Sequence, residues 1–361
     1  MEFFLAGLIV TILSGYAFIK LAKRINFVDA PDETRKLHKN AVPPVGGLSI
    51  FVPFLVILFF ADDGMSLTNW EFYAAALILL VTGALDDAFH ISAKIKFFIH
   101  FVAAILIVVG GANLVDMGNL FGYGSIDFGV FATIFSICCV VYLINAMNMM
   151  DGLDGLAGGL SLVITAALVI ACAFANIIAP VGLVILLGGL LGYLWFNMRT
   201  PLRSRAVMFL GDAGSMTIGL VMAWYAMRLS QAPYHVIEPM TVAWILALPI
   251  WDAFGLFTAR LREGRHPFEA DRRHFHHHFI EAGFTSGQAV PFILLYAVFL
   301  AGIGIVLPVL GVPVWILTYL WIALWLGHAQ LSFKPNSFIR FLRRIHVKWF
   351  SPKQHPNHGA P

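Results

Sequence analysis

The sequence predicts an all-α polytopic integral membrane protein with about eleven transmembrane helices, and three observations predict it. First, 60% of the 361 residues are hydrophobic and only 12% charged, with a mean hydropathy of +0.83. A soluble chain of this length has no use for that much apolar surface. Second, apolar runs recur near residues 3–22, 47–61, 70–85, 97–115, 129–148, 156–175, 177–196, 213–229, 241–258, 289–308 and 313–331. Third, if each run is a span, every one of the 23 Lys and Arg residues except Arg228 falls on the same side.

Taken in order, the first run has no basic leader and no small-residue cleavage site after it, so it is expected as a retained first helix and not a signal peptide. The second, ninth and tenth runs carry Pro53, Pro249 and Pro308, which are candidate kinks. The third run closes on Asp86-Asp87, and the fourth opens after Lys94 and Lys96. Several runs are short, so tilted or broken helices are expected. Cys138, Cys139 and Cys172 all lie inside apolar runs, offering neither a disulfide framework nor zinc spacing.

Basic residues are retained in the cytoplasm, so their bias orients the chain with its N-terminus outside and its C-terminus in the cytoplasm. The cytoplasmic side collects Lys20 to Lys39, Lys94 and Lys96, Arg199 to Arg205, Arg260 to Arg273, and the basic tail. Residues 1–331 are expected to form a single polytopic transmembrane domain. Residues 332–361 are expected as a basic cytoplasmic tail, first an amphipathic stretch near anionic lipid and then a disordered end with Pro352 and Pro356. The same arrangement sorts the acids. Asp62, Asp63, Glu71, Asp116, Asp127 and Glu238 fall in outer loops and read as solvated surface. Asp86, Asp87, Asp151, Asp154 and Asp212 reach the cytoplasmic end. The chemistry is one-sided, so the water-soluble substrate is expected from the cytoplasm.

The stretch NAMNMMDGLDG sets Asn145, Asn148, Asp151 and Asp154 at three-residue spacing between two apolar runs. Ionisable groups at that depth are costly unless paired, which marks them as functional. In a helix the spacing would gather them on one face, and two carboxylates gathered there call for a cation and suggest a magnesium-assisted phosphate site. Adjacent Asp86 and Asp87 repel one another, so one needs a partner or a raised pKa. FLGDAGS, residues 209–215, opens the eighth run with small residues that let a ligand approach a helix N-terminus, a favoured phosphate site. Asp212 reads equally well as a plain N-cap. Asn197 is a second amide nearby.

PFEADRRHFHHHF, residues 267–279, places four histidines beside Arg272 and Arg273. With no cysteine near and no His-Glu-x-x-His spacing, zinc is disfavoured, and imidazoles beside arginines suit a diphosphate better. Residues 35–47, RKLHKNAVPPVGG, form a shaped basic loop able to meet a phosphate. Asp252, inside the ninth run, reads as well for a pair with Arg260 as for a functional role.

These motifs, in this order, resemble the polyprenyl-phosphate N-acetylhexosamine-1-phosphate transferases, and within them the WecA-type branch of glycosyltransferase family 4. The resemblance spans about residues 20–330. The loop VPPVGG departs from the TPTMGG-like loop of the peptidoglycan branch, and HFHHH stands where an HIHH-like run is expected. The resemblance implies transfer of GlcNAc-1-phosphate from UDP-GlcNAc to undecaprenyl phosphate in a bacterial inner membrane, with Mg2+ as cofactor and Mn2+ as a substitute. It implies Asp212 as metal ligand, with Asp86 acting on the lipid phosphate and Asp87 supporting it or the metal. Asn148, Asp151, Asp154 and Asn197 match residues around the nucleotide, and Phe209 matches an aromatic stacking on uracil. Arg272, His276 and His277 match the diphosphate or sugar side. The partners implied are the two substrates, membrane lipids and a second copy in a homodimer, with no nucleic acid. A transporter is the main rival, but it would show repeated halves and a midplane site. A prenyltransferase would pair aspartates four apart, which DD plus DxxD does not match.

Overall fold

The computed structural model describes residues 1–28, 42–61, 69–200, 203–265 and 273–350. The expectations for Arg35, Lys36, Lys39, Asp62, Asp63, Arg272 and the chain beyond Phe350 lie outside the described residues.

Every predicted apolar run lands on helix. The elements are α1 (Glu2–Arg24), α2 (Gly46–Phe60), α3 (Trp70–Phe89), α4 (Ala93–Val109), α5 (Ala132–Met149), α6 (Leu156–Phe174), α7 (Val181–Asn197) and α8 (Gly211–Ser230). They continue with α9 (Pro239–Ile245), α10 (Ala247–Arg262), α11 (Phe275–Glu281), α12 (Ser286–Val309), α13 (Val314–Phe333) and α14 (Pro335–Phe350). No strand forms among the described residues, apart from two isolated bridges. In lipid each backbone group must find its partner inside its own segment, and helices provide that. The chain is an all-helical polytopic membrane protein.

Among the described residues six helices, α1, α3, α5 with the turn before it, α6, α12 and α13, are long and apolar enough to cross a membrane unaided. The ninth run is broken: α9 and α10 meet at Leu246 with a bend of 76°. Pro249 supplies the reason, because its ring clashes with the carbonyl four residues back, at Ile245, and it offers no N–H. Pro53 lies inside α2, which runs on through it, whereas Pro308 sits at the end of α12, which stops at Val309.

The core is built around α8, which packs against α2, α3 and α5. Every α8 residue from Ala213 to Ser230 is buried except Arg228. Enclosed by other helices, α8 can carry Ser215, Thr217 and Ser230 where a lipid-facing helix would need aliphatic residues. The hydroxyl of Thr217 satisfies itself by donating to the carbonyl of Ala213. Leu13, Phe60, Leu295 and Phe299 on the outer helices are exposed, as lipid-facing side chains are. At the far end, Gln231 ties the loop after α4 to the end of α8, accepting from the N–H groups of Val115 and Asp116 and donating to the carbonyl of Asp116. Asp116 is exposed, as expected, and accepts from the Ser125 hydroxyl and from Gly118 N, which hold its carboxyl below the usual range.

Candidate active site

One end of the bundle gathers the C-terminal ends of α3, α5 and α7 with the N-terminal ends of α4, α6 and α8. Asp86, Asp87, Asp151, Asp154 and Asp212 converge there. Asp86, in the last turn of α3, is nearly buried at 8% exposure, and Lys96 in the first turn of α4 reaches it. The Lys96 ammonium lies 2.7 Å from Asp86 Oδ2 and 3.0 Å from Asp212 Oδ2. The other oxygen of Asp212 accepts from Asn148 Nδ2 at 3.0 Å, and the same amide donates to Ser215 Oγ at 2.9 Å. Asp86, Lys96, Asp212, Asn148 and Ser215 thus form one continuous polar chain drawn from four helices.

Asp87 has a different task. Its Oδ1 accepts the backbone N–H of Asp212 at 2.9 Å, and its Oδ2 that of Ala213 at 3.3 Å. It therefore caps α8 from another helix, satisfying donors that would otherwise lie unpaired at a buried helix end. Asp212 itself makes no cap, so the plain N-cap reading of that residue is not what forms. The α8 N-terminus, expected as an open phosphate seat, is filled by Asp87. Gly211 makes this possible: its φ is +73°, and a Cβ there would lie 2.5 Å from Asp87 Oδ2.

The NAMNMMDGLDG block does not continue as helix. α5 stops at Met149, and residues 150–155 turn before α6 begins. The four polar residues therefore take separate partners and not one helical face. Asn145 donates to the Val141 carbonyl and meets His100, Asn148 serves Asp212, and Asp154 pairs with Arg199 Nε at 2.7 Å. Asp151 stands in the turn. Burial pushes its carboxyl up to about 8, and the nearby charges of Asp212, Asp87 and Asp154 add to the shift. Asn197 is buried with both ends of its amide in use, accepting from Gly155 N at 2.6 Å and donating to the Met208 carbonyl at 2.8 Å. It staples the turn before α6 to the segment leading into α8, so it shapes the site through backbone. Phe209 is half-buried, and its backbone pairs with Pro43 and Gly46, bringing the VPPVGG loop to the start of α8.

The histidine segment reaches the same end. α11 carries His276 against Gly152, where a Cβ would meet His276 Nε2 at 2.2 Å. His276 is 2% exposed, and neither ring nitrogen has a hydrogen-bond partner among the described residues. Burial pulls it down to about 3, so it is a neutral imidazole at physiological pH. His277 is half-buried beside it, their rings 4.2 Å apart. The segment is anchored by Asp252 on α10, which accepts from His274 Nδ1 and from Phe275 N, each at 2.7 Å. Sequence left open an Arg260 pair or a functional role for Asp252. In the structure both of its carboxylate oxygens go to the start of α11, which they cap.

The oxygen donors suit a hard divalent cation. Among the described residues no three His, Cys, Asp or Glu side chains converge as a ready metal cage. Mg2+ does not require one, since it keeps several waters and takes one or two carboxylates together with substrate phosphates. Lys96 already places a positive charge between Asp86 and Asp212. The sequence places Lys96 just after the acidic pair without assigning it a partner, and Arg199 stands there only as one of the cytoplasmic basic residues. Asp86 lies 10 residues before Lys96, but Asp212 lies 116 residues from Lys96 and Asp154 lies 45 from Arg199, so spacing could not reveal those two pairs.

The family model described as glycosyl transferase family 4 matches residues 69–230, the stretch holding Asp86 through Asp212. The relatives include the undecaprenyl-phosphate alpha-N-acetylglucosaminyl 1-phosphate transferase of Escherichia coli O157:H7, 35% identical over 329 residues, covering 90% of this chain and 89% of the relative. The protein of the same description from Yersinia pestis is 35% identical over 356 residues, covering 94% of each chain. That from Pasteurella multocida is 32% identical over 357 residues, covering 94% of this chain and 97% of its own. With likeness of that extent running through the whole polar cluster, the chain belongs to glycosyl transferase family 4.

Proposed function

We propose that this protein transfers GlcNAc-1-phosphate from UDP-GlcNAc to undecaprenyl phosphate, releasing UMP and forming undecaprenyl-diphosphate-GlcNAc. This is the first step of lipid-linked envelope polysaccharide synthesis, O-antigen or related. The observation that carries the reading is the Asp86–Lys96–Asp212–Asn148 chain, a compact charged site at one end of an otherwise apolar bundle. A site at that level lets a lipid acceptor enter from the side and a nucleotide sugar from the water. The relatives, described as transferases of this kind, support the same reaction.

Phosphoryl transfer asks a protein for charge neutralisation and in-line positioning more than for covalent chemistry. Mg2+ held by Asp212, with Mn2+ as a substitute, would supply neutralisation of the diphosphate. Asp86 orients the lipid phosphate, held in place by Lys96, while Asp87 fixes Asp212 from behind. One oxygen of the lipid phosphate forms a bond to the sugar-bearing phosphorus. The bond from that phosphorus to the bridging oxygen breaks, and the electron pair leaves on UMP. Asn148, Asp151 and Asp154 line the nucleotide side, and Phe209 offers a ring for uracil. Neutral His276, with His277, donates to the diphosphate, and Arg272 adds charge there.

The basic bias and the single-ended site support eleven spans, with the N-terminus outside and the active site on the cytoplasmic face of a bacterial inner membrane. Residues 1–331 form the catalytic domain in this reading, and a homodimer is its assembly. Purified protein given UDP-GlcNAc, undecaprenyl phosphate and Mg2+ is expected to release UMP in step with lipid product. No UMP under those conditions would overturn the reading.

A further inference from the structure

α14 differs from the other helices among the described residues. Residues 335–350 contain Arg340, Arg343, Arg344 and Lys348 and no acidic residue. α14 starts one residue after α13, a helix apolar enough to cross a membrane, so it begins where the apolar layer ends. One face is occupied by protein. Ile339 and Leu342 are buried, Phe338 stacks on Phe275 with ring centres 5.8 Å apart, and His346 meets Phe284 at 4.9 Å. Arg343 donates to the Glu281 carbonyl at the end of α11. The opposite face is not covered. Arg340, Phe341, Arg344, Val347 and Lys348 recur at the spacing of one helical side and all are exposed, Phe341 at 57% and Val347 at 58%. Trp349, 70% exposed, extends the apolar surface at the helix end.

Exposed apolar residues interleaved with unopposed positive charge mark a helix that lies in a lipid interface. We infer that the outer face of α14 docks on an acidic lipid surface, while its inner face holds α11 and the histidines against the active site. The occupant is acidic lipid and not a protein, because the charge is uniform and the helix is continuous with a membrane span. Each basic residue near an acidic leaflet contributes about a fivefold preference, so Arg340, Arg344 and Lys348 together give up to about a hundredfold.

The test is hydrogen exchange of the full-length protein in nanodiscs of neutral phosphatidylcholine, or with about one third phosphatidylglycerol, a composition that gives a negative surface potential. Exchange in residues 335–350 is expected to slow by about tenfold or more in the acidic discs. The triple variant R340Q/R344Q/K348Q, which leaves the Arg343–Glu281 contact and the apolar face intact, is expected to lose that slowing. F341S is expected to reduce it. Equal exchange in the two kinds of disc overturns the proposal, and so does full slowing in the triple variant. No substrate enters the exchange measurement, so its outcome stands apart from that of the transferase assay.

Discussion

The carboxylate of Asp87 accepts the backbone N–H of Asp212, 125 residues further along the chain, at 2.9 Å. One member of the acidic pair is thus committed to architecture, and its neighbour Asp86 is left facing Lys96 and Asp212. Two adjacent carboxylates at the end of one helix serve different ends because successive side chains on a helix point about 100° apart.

If Asp87 works by capping, shortening it removes the cap. Asp87→Ala is expected to lower stability by about 1–2 kcal/mol, the usual cost of a lost N-cap. It should also raise the Mg2+ concentration needed for half-maximal rate, because Asp212 loses its support. Asp87→Asn keeps an acceptor and should recover most of the stability. Thermal unfolding of the three proteins in detergent checks this, and an Ala variant as stable as the parent would refute the capping role.

Lys96 neutralises two carboxylates at once. Replacing it with Met should cut turnover by about two orders of magnitude or more, as for loss of a group stabilising charge in a polar site. The same change leaves Asp86 and Asp212 more negative, so half-maximal rate should come at lower Mg2+. A magnesium titration of the variant reads both effects, and a shift to higher Mg2+ would contradict the arrangement.

The buried histidines make the α11 region acid-sensitive. Burial lowers His278 to about 4 from an ordinary 6.5. Below pH 6.5 the unfolded chain takes up a proton that the folded one refuses until about pH 4, so stability falls as pH falls through that window. At pH 5 the loss from His278 is about 2 kcal/mol, and almost none remains at about pH 7.5. Unfolding temperatures at the two pH values should therefore diverge less in His278→Phe than in the parent. An identical pH dependence in both would remove His278 as a cause.

Orientation has its own check. Tyr123 and Ser204 are exposed at opposite ends of the bundle. In a background with Cys138, Cys139 and Cys172 replaced by Ala, Tyr123→Cys should react with a membrane-impermeant thiol reagent in intact cells. Ser204→Cys should react only once the cells are opened. Labelling of position 204 in intact cells would invert the topology.

Much of the fold was legible because lipid enforces it: each apolar run had to become a helix, and each did. What composition could not supply was the interruption of those helices. The break at Leu246 follows from the clash of Pro249 with the Ile245 carbonyl four residues back, whereas Pro53 sits in a helix that continues and Pro308 at the end of one that stops at Val309. The site was legible as a set of residues and much less as a set of partners. Asp86, Asp87, Asn148, Asp151, Asp154 and Asp212 do meet at one end. The three-residue spacing would share one face only if Asn145 to Asp154 were all helical, and the Gly-containing turn after Met149 takes Asp151 and Asp154 out of the helix that holds Asn145 and Asn148. The sequence likewise offered Arg260 as a candidate partner for Asp252 beside a functional role, and His274, which binds Asp252, arrives from a segment further along the chain. Sequence distance hides such pairs, since long-range packing decides them.

Asp212 anchors phosphoryl transfer from UDP-GlcNAc to undecaprenyl phosphate in the proposed mechanism, and one assay addresses that role most directly. UMP release and lipid-linked GlcNAc are followed together for the purified parent and for Asp212→Asn at saturating Mg2+. The parent should give equal amounts of both products. The variant, whose side chain keeps its size but loses the charge, should be slower by at least about a hundredfold. Near-parental turnover in Asp212→Asn would contradict the assignment.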